Sequence, residues 1–168
     1  YTEERLLWRM LENSPRDVLD ACLSRAEELA SEQDPSRSNT LGWIMNRMGF
    51  AKRSVPLLEY AAQHAPNAEF RERAIFTLFE SCLDIGDWKR GEALFPQATA
   101  RLTLAEAPEW CSRLAAVAAQ TGAKADAMRL WRTAASTDLT ELAYLSRLSR
   151  AGLYEELTAF YTEMARKI

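Results

Sequence analysis

The side chains able to do chemistry are few, and their spacing suits little of it. The sole histidine, His64, sits in His64-Ala65-Pro66 at an expected helix end, where a cation complements the negative end of the helix dipole. Without a second histidine, a His-based metal site lacks its ligands, and a Cys/His nucleophile would have to be assembled from distant segments. The three cysteines, Cys22, Cys82 and Cys111, are far apart, odd in number and form no CxxC. That pattern fits neither a disulfide framework nor a zinc site. They read as buried free thiols. The carboxylate pairs Glu27-Glu28 and Glu155-Glu156 are adjacent in sequence. Neighbours on a helix point to different faces, so neither pair is an acid/base couple. No GxGxxG, P-loop or GxSxG occurs. The expectation is a protein with no catalytic residue, no cofactor and no metal.

Arginine is the one reactive type in quantity: it supplies 17 of the 21 basic residues. Guanidinium groups stack on bases and bind phosphates, so an RNA-binding helical repeat is weighed. Charge argues against it. The chain carries 24 acidic side chains for a net charge of −3, and its pI is near 5.4. Residues 1–84 hold 10 basic and 14 acidic groups, residues 85–168 hold 11 and 10. Basic residues are interleaved with acidic ones, as in Glu69…Arg71-Glu72-Arg73. Nucleic acid is therefore disfavoured.

The elements that position these side chains are helical. Hydrophobic residues make up 48% of the 168 residues and charged residues 27%, an ordinary globular balance with enough apolar surface for a core. No run reaches the 18 apolar residues of a membrane span. The chain begins at Tyr1, which reads as a segment of a longer protein, and a cytoplasmic location is expected. The six glycines and six prolines stand as punctuation between stretches with apolar residues at i, i+3, i+4 and i+7. One such face is Val18, Cys22, Leu23, Ala26, Leu29 and Ala30; another is Leu57, Leu58, Ala61 and Ala62. About ten helices are expected, near 2–13, 15–32, 38–48, 51–65, 68–84, 87–101, 106–121, 123–136, 138–150 and 153–167. Ser14-Pro15 has the form of a cap followed by a first-turn proline. Thr103…Glu106 and Asp138…Glu141 have capping-box spacing. Pro56 and Pro96 fall inside two helices, which each should shorten or kink. Connections of one to four residues make consecutive helices antiparallel.

Four glycines anchor an internal repeat: Gly49, Gly86, Gly122 and Gly152. Two residues on lie Ala51, Trp88, Lys124 and Tyr154. Five on lie Ser54, Gly91, Ala127 and Leu157. Nine on lie the large residues Leu58, Phe95, Trp131 and Tyr161, and twelve on Ala61, Ala98, Ala134 and Met164. The preceding helices carry their own apolar sets, such as Leu41, Met45 and Met48, or Leu78, Phe79 and Cys82. A glycine in the left-handed region ends the first helix of a pair. Small residues then let the second helix approach closely, and the large residue fills the groove to the next pair. One hairpin cannot bury its apolar face alone, so the pairs must stack.

This pattern resembles the tetratricopeptide repeat family. The matching pieces are Leu41-Gly42…Met45…Gly49…Leu58…Ala61…Pro66, then Gly86-Asp87-Trp88…Phe95…Ala98, then Gly122…Ala127…Trp131…Ala134, then Gly152-Leu153-Tyr154…Tyr161. The small residue expected in each first helix is Gly42 or Ala115 in two repeats, but Phe79 and Leu145 in the others. The resemblance covers about residues 37–168. It implies an all-α, right-handed α-solenoid of about five antiparallel helix pairs in one domain. A degenerate leading pair over 1–35 precedes pairs at 37–66, 68–101, 106–136 and 138–167.

The resemblance also implies a non-enzymatic scaffold whose first helices line a concave groove for a segment of a partner protein. The groove-facing positions would be Asn39, Trp43, Asn46 and Arg47; Arg73, Phe76 and Glu80; Glu109, Ser112 and Gln120; and Ser146, Ser149 and Arg150. Asn and Gln would read a peptide backbone, Arg a carboxylate, and Trp43 would anchor the interface. The plain readings stand beside these. Trp43 shares its helix with Leu41, Ile44 and Met48 and has the neighbours of a core residue. Asn46 and Arg47 have those of a solvated face, and Trp8, Trp88, Trp110 and Trp131 those of packing residues. The Lys, Asn and Arg set with which some family members clamp acidic C-terminal tails is incomplete here. A second function class is assembly: the last helix, with Leu157, Phe160, Tyr161 and Met164, would pack on another copy or another domain.

Overall fold

The computed structural model describes residues 9, 13–30, 34–104, 106–138, 146 and 148–166. These residues are helical and contain no strand. The expected helix over 2–13, most of the one over 138–150, the Asp138…Glu141 box, and Trp8 and Leu145 lie outside the described residues. So do the side chains of Leu29, Ala30, Phe160 and Met164. The chain divides into two compact units, Tyr1–Ile85 and Gly86–Ile168. The boundary falls within the pair expected over 68–101.

The N-terminal unit holds α1 (Arg16–Ala30), α2 (Pro35–Arg47), α3 (Ala51–Gln63) and α4 (Ala68–Asp84). Each packs on the helix before it, and α2 also meets α4. Helix α2 starts three residues earlier than the apolar pattern suggests. Asp34 caps it, its carboxylate accepting from the amides of Ser36 (2.9 Å) and Arg37 (3.2 Å), with Pro35 in the first turn. Helix α3 runs through Pro56 to Gln63 rather than stopping at it.

The face of α1 differs from the expected one. Leu19 and Leu23 are buried with Met45, against Leu41, Met48, Phe50 and Leu57. Val18 and Cys22 are exposed. Among its described side chains α1 buries Leu19 and Leu23, with Ala26 half-buried beside them, and one residue along a helix is a 100° turn away from that stripe. Cys22 is thus an exposed thiol, whereas Cys82 and Cys111 are buried as expected. The polar side of α1 is tied to α3 by Arg53. Its guanidinium bonds Glu27 through Nε and Nη2 (2.9 Å each), Ser24 Oγ (3.1 Å) and Asp20. Its hydrogen bonds to the accepting Glu27 carboxylate chiefly hold the Arg53 pKa above its usual value.

The C-terminal unit holds α5 (Trp88–Ala98), α6 (Glu106–Gln120), α7 (Lys124–Asp138) and α8 (Tyr154–Arg166). Helix α5 ends two residues after Pro96, and a 3-10 turn over Thr99–Arg101 follows. The Thr103…Glu106 box forms. The Thr103 amide (2.8 Å) and hydroxyl (2.7 Å) donate to the Glu106 carboxylate, and the Glu106 amide donates back to Thr103 Oγ1 (3.3 Å). These bonds, the backbone one first, hold the Glu106 pKa below the usual carboxylate value. Helices α5 and α6 pack together, as do α6 and α7. Arg129 of α7 also forks onto Glu92 of α5 at 2.7 and 3.1 Å.

The four anchor glycines all lie in the left-handed region, with φ between 69° and 86°. At three of them the amide after the glycine donates back five residues: Phe50 to Met45, Ala123 to Ala118, Leu153 to Leu148. This is the Schellman bond, which satisfies a carbonyl the helix end would orphan. The small and large offsets after Gly49 and Gly122 are buried as expected: Ser54, Leu58 and Ala61, then Ala127, Trp131 and Ala134. Gly42 explains the tight fit of α2 on α3, since a Cβ there would lie 2.7 Å from Leu58 Cγ. On α8 the same offsets carry exposed Tyr154 and Tyr161.

Candidate partner-binding surfaces

In the N-terminal unit the expected site residues fall on α2 and α4. Asn39, Trp43 and Arg47 recur every four residues, so they share one stripe of α2. Trp43 is 38% exposed, so it is a surface indole rather than core. Arg47 lies over its ring at 5.9 Å to the centroid and pairs with Glu80 of α4 at 3.7 Å. The Arg47 guanidinium is half exposed while the Glu80 carboxylate is mostly covered. The indole is therefore held on the surface by a cation that is itself tethered to the next helix.

Asn46 departs from the expected role. It is buried, and its Nδ2 donates to Ser81 Oγ of α4 at 2.6 Å. Ser81 also lies 2.8 Å from Ser54 Oγ of α3, and the two hydroxyls reach the carbonyls of Thr77 and Ala51. This closed polar chain joins three helices. Buried polar groups must be satisfied, and Asn46 is spent on that internal task. Asn39 is half-buried, with its Oδ1 covered and without a donor among the described residues. Phe76 is half-buried and rests near Phe79, with ring centroids 6.4 Å apart. Arg73 is exposed and pairs with Glu69 one turn earlier.

In the C-terminal unit the geometry is a cleft. Glu109, Ser112, Gln120 and Arg150, all expected on the inner face, line one concavity of about 510 Å³ together with Arg113, Ala116, Ala119, Trp131 and Ala151. That volume lies in the usual range for ligand sites. Its α6 wall is a regular stripe, 109, 112, 113, 116, 119 and 120, with two alanines midway. Ser149 and Ser146, the other expected positions here, are exposed. No family model, curated protein or solved structure matches this chain. The reading of the cleft therefore stands on its own chemistry.

That chemistry is rich in donors. Arg113 lies over the Trp110 ring at 4.1 Å, which orients its guanidinium without neutralising it. Neither Arg113 nor Arg150 pairs with a carboxylate among the described residues. Trp131 is 2% exposed, and its Nε1 is buried without an acceptor among the described residues. Leaving a buried donor unmade costs about 1–3 kcal/mol. Arg113 and Trp131 were not among the expected site residues. Arg113 was legible one turn beyond Glu109 on the same stripe. Trp131 reads from its offset as packing, which it does, and only the fold shows its indole N–H left over. No group of three or more His, Cys, Asp or Glu side chains among the described residues is arranged to hold a metal. None of the described helices is long and apolar enough to cross a membrane.

Proposed function

We propose that this chain is a non-catalytic module of stacked helical hairpins, tetratricopeptide-like, that holds a segment of a partner protein on the inner faces of its pairs. The observation that carries this is Trp43. An indole is large and apolar, and burial is its usual fate. Here it stays on the surface, flanked by Arg47, which is anchored in turn to Glu80. Exposed, preorganised Trp and Arg are the residue types that most often concentrate interface energy. The glycine-ended hairpins and the α2–α4 packing support the repeat architecture.

The test replaces Trp43 and Arg47 by alanine together and compares partner capture with the parent chain, far-UV circular dichroism reporting on the fold. Removal of the anchor should weaken binding by about 2 kcal/mol or more, roughly thirtyfold. Unchanged capture by a folded variant would refute the assignment of the surface.

Self-association through α8 is a second reading, favoured by the exposure of Tyr154 (63%) and Tyr161 (56%) on one helix. Sedimentation checks it, because a mass that does not change with concentration would exclude it.

A further inference from the structure

Helix α8 presents an open face whose charges complement a second copy of the same face. Glu155, Thr158, Ala159, Thr162 and Arg166 line one shallow depression along the helix, and all five are exposed. Glu155 and Arg166 are eleven residues apart, about three turns of a helix and about 16 Å along its axis. They therefore stand on one stripe, the acid at its N-terminal end and the base at its C-terminal end. Neither pairs with an opposite charge among the described residues.

The middle of the stripe is small and apolar. Thr158 Oγ1 donates to the Tyr154 carbonyl and Thr162 Oγ1 to the Thr158 carbonyl, each at 2.8 Å. Both hydroxyls are thus spent on the backbone of their own helix. What the face offers outward is the methyl groups of Thr158, Ala159 and Thr162. Side chains of this size let two helices approach closely. Tyr154 and Tyr161, seven residues apart, border the stripe on one edge, and both are more than half exposed.

The helix dipole accounts for an acid in the first turn and a base in the last. It does not account for their sharing one stripe with methyl groups between them, nor for the exposure of the tyrosines. A parallel copy would set Glu155 against Glu155 and Arg166 against Arg166. An antiparallel copy, related by a two-fold axis crossing midway between these positions, sets Glu155 against Arg166 at both ends. It also sets Ala159 against Thr162 near the centre, each contact occurring twice as in any isologous interface. Glu163, on the other edge, falls level with Thr158 of the copy rather than with an acid. The two Tyr161 rings come to the same edge beside the axis, where each can cover apolar surface of the other.

We propose that α8 is a homodimerisation element, two copies of this chain pairing antiparallel through the stripe from Glu155 to Arg166 with Tyr161 beside the axis. The inference deepens the self-association reading of α8 and rests on it. It supplies what that reading lacks, the face, the direction and the register. One helix pair is a small interface, so a dimer in exchange with its monomer is expected rather than a permanent one.

The experiment is sedimentation of the whole chain from low micromolar to millimolar concentration, with circular dichroism reporting on the fold. The mass should rise from 19.0 kDa toward twice that value. Glu155→Arg sets two arginines together at both ends, and Arg166→Glu sets two glutamates together. Each single reversal should weaken the dimer about tenfold or more. The double reversal Glu155→Arg/Arg166→Glu restores opposite charges across the axis and should return to about the parent affinity. Mixing the two single variants should likewise give a heterodimer tighter than either variant alone. Ala159→Arg, which places a long charged side chain at the centre, should abolish association.

Single reversals without effect, or a double reversal no better than the singles, would overturn the antiparallel register. A dimer indifferent to the reversals but lost in Tyr154→Ser/Tyr161→Ser would overturn the pairing while leaving self-association through α8 in place. A dimer that survives Ala159→Arg would move the interface off this stripe and overturn the assignment. A mass fixed at that of one chain would overturn this proposal together with the α8 reading, and would leave the Trp43 surface to its own test.

Discussion

Replacing Gly42 with alanine tests the packing of the first complete helix pair. The residue lies inside α2, where alanine is worth about 1 kcal/mol more than glycine through helix propensity alone. An exposed site would be stabilised by that amount. Here the added Cβ would sit 2.7 Å from Leu58 Cγ and 2.8 Å from Cδ2. Ordinary carbon contacts lie near 3.5–4.0 Å, so about 1 Å must be made up by movement. Leu58 is wholly buried, and the atom struck is its branch carbon, so a simple swing of the side-chain tip does not relieve the clash. Overpacking of this kind costs about 1–3 kcal/mol, and the upper end applies. The net expectation is a loss of about 2 kcal/mol. With a urea slope near 2 kcal/mol per molar, the midpoint falls by about 1 M. Leu58→Ala alone should cost about 2–5 kcal/mol through its cavity. In the double variant the methyl group added at position 42 enters the vacated space. The two losses should then fall short of additivity by about 1 kcal/mol or more. Urea unfolding followed by circular dichroism gives all four corners of the cycle. A Gly42→Ala variant as stable as the parent, or more so, would show that α2 and α3 do not meet there.

Three further outcomes are expected. Ser81→Ala should cost about 1–3 kcal/mol in the same unfolding assay, because it strands the Asn46 amide in a buried site; a loss below about 0.5 kcal/mol would show the chain to be dispensable. The Glu106 carboxyl should titrate below exposed glutamates by NMR, since its charged form accepts from the Thr103 amide and hydroxyl. Because the folded value is the lower one, this contribution is complete above the unfolded pKa and fades as pH falls through the folded pKa. Glu106→Gln should abolish that acid dependence at the start of α6. Cys22 should react with an aromatic disulfide reagent in the native state, whereas Cys82 and Cys111 should react only on unfolding; three equal rates would contradict the burial pattern.

Much of the fold was legible residue by residue. Gly49, Gly86, Gly122 and Gly152 marked helix ends because φ near +80° is open to glycine at little cost. Thr103 and Glu106 announced a start because their reciprocal bonds depend only on a three-residue spacing. Leu58, Trp131 and the alanines after them were legible as core because 3.6-residue periodicity and residue size act locally. The apolar pattern places the start of α2 too late, because its cap, Asp34-Pro35, precedes the first apolar residue.

The sites were legible in type and less so in use. A stripe at 39, 43 and 47, or at 109, 112 and 120, follows from helical geometry. Which member of a stripe leans inward depends on what the neighbouring helix presents. Ser81 draws Asn46 into the interior, and nothing near residue 46 in sequence foretells it. Arg47 and Trp43 stay on the surface because Glu80, 33 residues on, tethers the cation. Val18 and Cys22 are left outside because the described side chains that α1 buries, Leu19 and Leu23, lie on another stripe. Helices, their ends and their apolar stripes could be read from the residues alone, because interactions within a few residues set them. The packing of the elements settles which polar groups are consumed inside, as Asn46 is by Ser81, and which stay exposed, as Arg113 and Arg150 do. Satisfaction of a buried polar group is a property of all the elements around it, not of its own helix.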